Sequence, residues 1–324
     1  MDTNGNDCAI TGEANFTSLE DISAHSGSWE LEYVQLEAGQ LDGGAKTYIG
    51  RNVTIRYVTY NRRFHQQGTP PPGMISFGIL DDQRQHIANG QPLERGSVLR
   101  FNTPGGLDVV AEAGFAGFPI AIRETFFYDV AEQMGISVSP RQLTGEAVIS
   151  GLPPVILDPL RHDLHALIRA IRLKSLKFQS ITWIDDFEFS IAASVLSLLN
   201  LPHSLSVPRY QSTRYRGLKR AVQQIQHCGQ DTVTIKELCS AAHVSWRTLD
   251  RAFREHFDIT AKQYLTNHRL HQVRRQLSVA VPGIRINDIA NNWGFFHPGQ
   301  FAADYRKCFG ELPRQTIRRA KRKS

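Results

Sequence analysis

The spacing of hydrophobic and polar positions changes period once along the chain. From Trp29 to about Arg123 they alternate in short runs separated by turn residues. Leu31–Leu36 alternates, Glu37-Ala38-Gly39 interrupts, and Val53–Val58 alternates again. Met74–Leu80, Ser97–Phe101, Leu107–Ala111 and Pro119–Ile122 continue the pattern, with Pro70-Pro71-Pro72-Gly73 and Pro104-Gly105-Gly106 as breakers. Short strands at this spacing predict a β-barrel or sandwich. Residues 1–28 are polar and predict a flexible N-terminus.

After Glu124 the period becomes helical. Phe126–Met134 is a short helical stretch. Asp158-Pro159 has the form of an N-cap followed by proline at the first helical position. Leu157, Leu160, Leu164, Leu167 and Ile171 recur at spacings of 3 and 4, as do Ile184, Phe187, Ile191, Val195 and Leu198. Two amphipathic helices follow. Their narrow stripes suit packing on the β domain or a seam between two chains. Residues 201–211, with Pro202, Pro208 and several serines, form a candidate linker. This predicts an α+β chain of two domains, at 29–200 and 212–324.

Residues 212–324 read as nearly all helix: Arg214–His227, Ile235–Ala242, Ser245–Phe257, Thr260–Leu277, Arg285–Trp293, Pro298–Phe309 and Pro313–Lys323. Gly229, Pro282-Gly283, Gly294 and Pro313 punctuate them. Within this part lies a repeat. Glu237-Leu238-Cys239 matches Asp288-Ile289-Ala290 at an offset of 51, which also pairs Val244 with Phe295. Leu249, Phe253 and Phe257 match Phe301, Tyr305 and Phe309 at an offset of 52. Each copy is a short helix, a tight turn and a longer helix, the layout of a helix-turn-helix. The units span about 235–256 and 286–309. Their expected apolar core is Leu238, Val244, Leu249 and Phe253 in the first copy, and Ile289, Phe295, Phe301 and Tyr305 in the second.

Charge gives the repeat a partner. Of 37 basic and 31 acidic residues, 22 and 8 fall in 209–324, net +14; residues 1–208 carry net −8. A basic third joined to an acidic remainder suits a module that meets a polyanion. The five charges of Arg318–Ser324 do not account for the imbalance, since net +9 remains without them. The strut Thr260–Leu277, 18 residues long, makes a helix of about 27 Å. It suits two recognition helices entering successive major grooves, about 34 Å apart.

On that reading Arg247 and Arg251, one turn apart, can reach guanine, Thr248 a thymine methyl and Gln300 adenine. Asp250 either accepts from cytosine or orients Arg254 four residues on. His297 completes the reading face, while Lys236, Arg254, Arg274, Arg306 and Lys307 are candidates for phosphate, with Arg214, Arg216 and Lys219 beside them. The helix N-termini at Ile235 and Asn287 offer backbone N–H groups to phosphate. Gly299 and Ala303 bring no side-chain hydrogen bond to the second face, so the first unit is expected to read sequence and the second to clamp.

The second unit carries the most specific pattern: Ile289-Ala290-Asn291-Asn292-Trp293-Gly294-Phe295, then Gln300–Gly310 and Pro313. It resembles the DNA-binding domain of AraC/XylS transcription regulators. The His297-Pro298-Gly299-Gln300 turn departs from the usual motif and is similar to the branch regulating ethanolamine-utilisation operons. Tyr33-Val34-Gln35-Leu36, Gly39 and Pro104-Gly105-Gly106 resemble that branch more loosely. The resemblance implies a cupin-like, effector-sensing barrel, dimerising middle helices, a homodimer on double-stranded DNA, contact with RNA polymerase and, more often than not, activation.

The remaining chemistry is sparse. His65 and His86 stand alone, without an HxH pair or a following glutamate, and read as surface or loop residues; no metal is expected. GxSxG, Walker, GxGxxG and HExxH motifs are absent from the sequence, so neither an enzyme nor a cofactor is expected. Two alternatives stand beside a regulator: a sequence-blind architectural protein, and a cupin-type enzyme with a DNA-binding tail. Cys8, Cys228, Cys239 and Cys308 form no framework or CxxC knuckle, and no run of about 18 apolar residues appears. With no signal-peptide pattern at the start, a cytoplasmic location is expected. The effector's binding residues are not legible.

Overall fold

The structure, a computed structural model, describes residues 9–82, 84–101, 106–138, 147–149, 152–173, 180–200, 205–206, 213–228, 233–279 and 285–323. Strand β1 (Ile10–Phe16) and helix α1 (Leu19–Ala24) precede β2 (Glu30–Gln35), β3 (Gly43–Ile49), β4 (Val53–Tyr60), β5 (Phe64–Thr69) and β6 (Met74–Leu80). Two short strands, β7 (Ile87–Ala88) and β8 (Gln91–Pro92), lead to β9 (Val98–Phe101), β10 (Leu107–Ala111) and β11 (Phe115–Arg123). Then come α2 (Glu124–Gln133), β12 (Ala147–Ile149), α3 (Pro154–Arg172), α4 (Ile181–Leu199) and β13 (Leu205–Ser206).

Among the described residues these strands form two antiparallel sheets. The first has the order β1-β3-β4-β11-β6-β9-β12-β13, the second β2-β5-β10-β7-β8. Period-2 alternation separates their faces. On β4, Val53 and Ile55 pack outward against α2, α3 and α4, while Val58 and Tyr60 point between the sheets beside Tyr33 and Phe64.

The apolar stripes of α3 and α4 are consumed within the chain. Leu157, Leu160, Leu164, Leu167 and Ile171 share one core with Ile191, Val195, Leu198 and the outer face of the first sheet. The stripes thus pack on the β domain, as the first of the two alternatives for these helices expects. The helix start at Asp158-Pro159 is corrected: α3 begins at Pro154, and Pro159 lies inside it. Its missing N–H leaves Val155 without that helical donor, and Val155 is exposed to water.

The N-terminus also departs from expectation over its described part. Residues 10–16 pair with 49–43 of β3, and Ser18 caps α1 by accepting from the Asp21 amide. Polar composition misleads here because β1 is an edge strand with most side chains in water.

The C-terminal part is helical: α5 (Thr213–His227), α6 (Ile235–Ala242), α7 (Trp246–Phe257), α8 (Ala261–Ser278), α9 (Ile286–Asn292), α10 (Pro298–Phe309) and α11 (Pro313–Lys323). Of the proposed linker, only residues 205–206 are described, and they pair with β12. Gly229, Pro282-Gly283 and Pro104-Gly105 fall outside the described residues. The two parts are not merely tethered. Val34, Leu36 and Val110 of the second sheet share a core with Tyr215, Leu218, Leu249, Phe253 and Tyr264.

Candidate nucleic-acid interface

The repeat folds as two copies of one unit. Helices α6 and α9 start 51 residues apart, and α7 and α10 start and end 52 apart. The turn residue adopts a left-handed conformation in both, His243 at φ 54° and Gly294 at φ 81°. Leu238, Leu249, Phe253, Ile289, Phe301 and Tyr305 are buried; Val244 and Phe295 are half-buried. Capping sets where the helices begin. Ser245 accepts from the Thr248 amide, and Thr260 forms a reciprocal capping box with Gln263. Helix α8, the strut between units, has 18 residues and so is about 27 Å long.

Both second helices of the units turn their C-terminal ends to the β domain. Arg63 Nη1 donates to the Phe257 carbonyl at 2.8 Å, and Gln35 Nε2 and the Gly39 amide donate to the Cys308 carbonyl at 2.8 and 3.1 Å. Their N-terminal ends therefore lie away from the β domain. At those ends Trp246, Arg247, Arg251, His297, Gly299, Gln300 and Ala303 are exposed. Arg306, Lys307, Lys236 and Arg254 are exposed as well.

Contacts refine the individual roles. Asp250 accepts from Arg254 Nε at 2.9 Å and from the Ala261 amide at 3.2 Å, so it is committed to orienting Arg254 and capping α8. Arg251 Nε donates to Glu255 at 2.7 Å, and Arg214 reaches the same carboxylate at 2.6 Å. That pair is exposed, which leaves Arg251 exchangeable. Gln300 donates to Asp304 at 2.9 Å. Thr248 Oγ1 lies 2.9 Å from Ser245 Oγ.

Two expectations are corrected. Arg274 does not face solvent: it is 1% exposed, lies 3.0 Å from Glu311 and 3.4 Å from Glu20, and stacks 4.5 Å over Phe309. It holds the second unit together and is withdrawn from phosphate contact. The N-terminus of α6 is already occupied by the Glu237 carboxylate, which accepts from the Thr234 amide at 2.7 Å; those hydrogen bonds hold its carboxyl below the usual value. A phosphate there would meet an anion. The N-terminus of α9 carries no side-chain cap.

The histidines read as surface residues are also corrected. His65 and His86 are buried. His86 Nε2 donates to Asp82 at 2.9 Å while its Nδ1 accepts from the Glu112 amide. His65 belongs to a network at the contact between the two parts. Its Nε2 donates to Asp108 at 3.0 Å, and the Tyr264 hydroxyl sits 2.6 Å from Nδ1. The other Asp108 oxygen accepts from Tyr215 at 2.9 Å and Gln67 Nε2 at 3.1 Å. Burial raises the Asp108 carboxyl, but the His65 hydrogen bond, the proximity of His65 and His256, and the Tyr215 bond outweigh it and hold it well below its usual value. Nearby, the Gln35 amide donates to Nε2 of His271, which fixes that ring as the Nδ1–H tautomer. The close fit extends to Gly90, at φ 78°, where a Cβ would sit 2.5 Å from the Tyr215 ring.

Sequence comparison falls on the same region. Residues 238–319 match a family model described as "Helix-turn-helix domain". The chain is 38% identical over 106 residues to the "XylDLEGF operon transcriptional activator 3" of Pseudomonas putida, covering 32% of each chain. It is 29% identical over 102 residues to the "Probable thc operon regulatory protein" of Rhodococcus erythropolis, covering 31% of each. The chain thus spans about a third of the length of these curated relatives. Among solved structures, it is similar to a probable AraC family transcriptional regulator from Rhodopseudomonas palustris CGA009, at 27% identity and TM-score 0.31, covering 32% of this chain and 96% of that one.

Proposed function

We propose that this chain is a sequence-specific DNA-binding transcriptional regulator of the AraC/XylS type, with two helix-turn-helix units that occupy successive major grooves. The observation that carries it is the paired geometry: two units in register, joined by one 18-residue helix, with exposed polar N-terminal ends turned away from the β domain, that of the first unit bearing Arg247 and Arg251 and that of the second His297 and Gln300. Kinship of the helix-turn-helix region to operon regulators supports the same reading.

In this reading Arg247 and Arg251 contact guanine, Gln300 contacts adenine, and Thr248 and His297 complete the readout. Lys236, Arg254, Arg306 and Lys307 neutralise phosphates. The first unit supplies most of the sequence discrimination, because its exposed face carries two arginines where the second carries Gly299 and Ala303. Selection from random duplexes with the full chain, followed by competition against scrambled DNA, tests it. A regulator yields a preferred site; a sequence-blind architectural protein yields none and only a steep salt slope.

The finer picture is part of the proposal. The two-sheet domain acts as a cupin-like barrel that senses a small effector. The working form is a cytoplasmic homodimer that activates through RNA polymerase. The apolar stripes of α3 and α4 are internal, so a dimer would use their outward residues, among them Phe189 and Ile181. Among the described residues, no helix is long and apolar enough to cross a membrane. The affinity to ethanolamine-operon regulators rests on the His297-Pro298-Gly299-Gln300 turn. Among the described residues no group of three or more side chains could hold a metal ion, and His65 and His86 are paired with Asp108 and Asp82.

A further inference from the structure

Between the two sheets lies a small cavity of about 70 Å³. Its walls are almost wholly apolar: Leu31, Val58, Leu99, Phe101 and Val109 are typical. One charged residue, Arg56, stands among the lining side chains. It projects from β4 on the same face as Val58 and Tyr60, and it is 7% exposed. Its Nε and Nη2 are buried and have no hydrogen-bond partner among the described residues. Buried polar groups are almost always paired, and a buried unpaired charge is among the most costly arrangements in a fold. Burial lowers the pKa of this guanidinium, yet an arginine does not give up its proton under ordinary conditions.

The identity of the unpaired atoms is informative. Nε–H and Nη2–H lie side by side on one edge of the planar guanidinium. That edge is the fork which grips the two oxygens of a carboxylate. Around it the walls are mostly hydrocarbon, with Tyr33, Tyr60 and Gln66 as uncharged polar residues among them, which suits one anionic head and a short apolar tail. The cavity is about half the ~150 Å³ that holds benzene in an engineered apolar site. It therefore has room for an acid of roughly two to four carbons. A phosphate group would bring more charge and no apolar surface to cover these walls.

The same walls face the DNA-binding part. On β10, Leu107 and Val109 line the cavity, while Asp108 between them reaches Tyr215 and His65 on the opposite face. On β5, Gln66 lines the cavity and Gln67 donates to Asp108. A single sheet thus separates the cavity from the contact that seats the helices.

We infer that this cavity is a binding site for a short-chain aliphatic monocarboxylate, whose carboxylate is held bidentately by the Nε–Nη2 edge of Arg56. The inference rests on reading the β domain as the sensing half of a regulator, and it makes that half specific. A cationic amine is excluded by the same guanidinium.

Calorimetry and thermal shift on the full chain test it, with acetate, propionate and butyrate set against propionamide, butyramide, benzoate and ethanolamine. At least one of the three acids is expected to bind at one per chain and raise Tm. Its matched amide and ethanolamine should bind at least tenfold more weakly, and benzoate more weakly than the best short acid. Arg56→Met removes the charge at similar volume and should abolish acid binding while the protein still melts cooperatively. Val109→Phe, which fills the cavity and leaves Arg56 in place, should abolish it too. The inference is overturned if none of the three acids binds, if amide and acid bind alike, or if either variant binds the acid as the parent does. DNA binding is measured on the same samples. Acid binding without a preferred DNA site would sink the regulator reading alone; a preferred site without acid binding would sink this inference alone.

Discussion

Removing the Asp108 side chain is the sharpest test of how the two parts are held together. Asp108→Ala takes away the acceptor for His65 Nε2, the Tyr215 hydroxyl and Gln67 Nε2 at once. His65 and Tyr215 are buried, so neither finds water as a replacement. Each stranded buried partner costs about 1–3 kcal/mol, and breaking a buried charged pair from one side costs about 3–5 kcal/mol. A loss of about 3–5 kcal/mol is expected for Asp108→Ala. Asp108→Asn should cost less, about 1–2 kcal/mol. Its amide oxygen still accepts from Tyr215, and His65 can change tautomer to accept from the new N–H. Urea unfolding of the full chain gives the stability, and hydrogen exchange gives the location. Residues 64–69, 107–111 and the C-terminal turn of α7 should lose protection together. If Asp108→Ala stays within about 1 kcal/mol of the parent with exchange unchanged there, the network does not seat the helices and the reasoning fails.

Other predictions follow from the same contacts. Arg251→Ala should cost about 1–3 kcal/mol in binding to the selected site and relax preference at one base pair; equal weakening on all sequences in a competition assay would reassign it to phosphate. Arg274→Met should lower stability by about 1–3 kcal/mol by removing its contacts to Glu311, Glu20 and Phe309 while Arg319 still pairs with Glu311, yet leave the salt slope of DNA binding unchanged, whereas Lys236→Ala should leave stability alone and reduce that slope by about 1. Stability should also fall in mild acid. Burial, followed for His268 by Arg275 and Arg269, pushes His256 and His268 down to about 4 from an ordinary 6.5. The unfolded chain binds more protons between those values, so stability is fully present above about pH 6.5 and is lost as pH falls towards 4. A Tm-versus-pH series should flatten in this window for His268→Gln.

The helical third was legible because its signals are local. Ser245, Thr260 and the 51- and 52-residue offsets fix helix starts without tertiary information, and Pro298–Phe309 and Pro313–Lys323 match the observed helices end to end. The β domain was legible only where alternation survives. Met74–Leu80 and Leu107–Ala111 carry it, whereas β5, Phe64-His65-Gln66-Gln67-Gly68-Thr69, reads as polar loop. Its polar side chains are useful because the helical part lies on them: His65 meets the Tyr264 hydroxyl and Gln67 accepts from Gln226. β3 opens with Gly43-Gly44, which looks like a turn but pairs in a ladder. Of the site residues, exposure on α7 and α10 follows from apolar period. The fate of Arg274 does not, since its partner Glu311 lies 37 positions on and Glu20 in the other part. Arg56 gave one hint: a charge in the alternating run Val53–Val58, on the parity of Val58.

A phosphate-interference footprint on the selected site tests the central claim most directly. Two units on one strut predict two clusters of protected phosphates on one face of the duplex, one helical turn apart, with the sharper base preference under the unit bearing Arg247 and Arg251. A single cluster, or protection spread evenly along both faces, would contradict it.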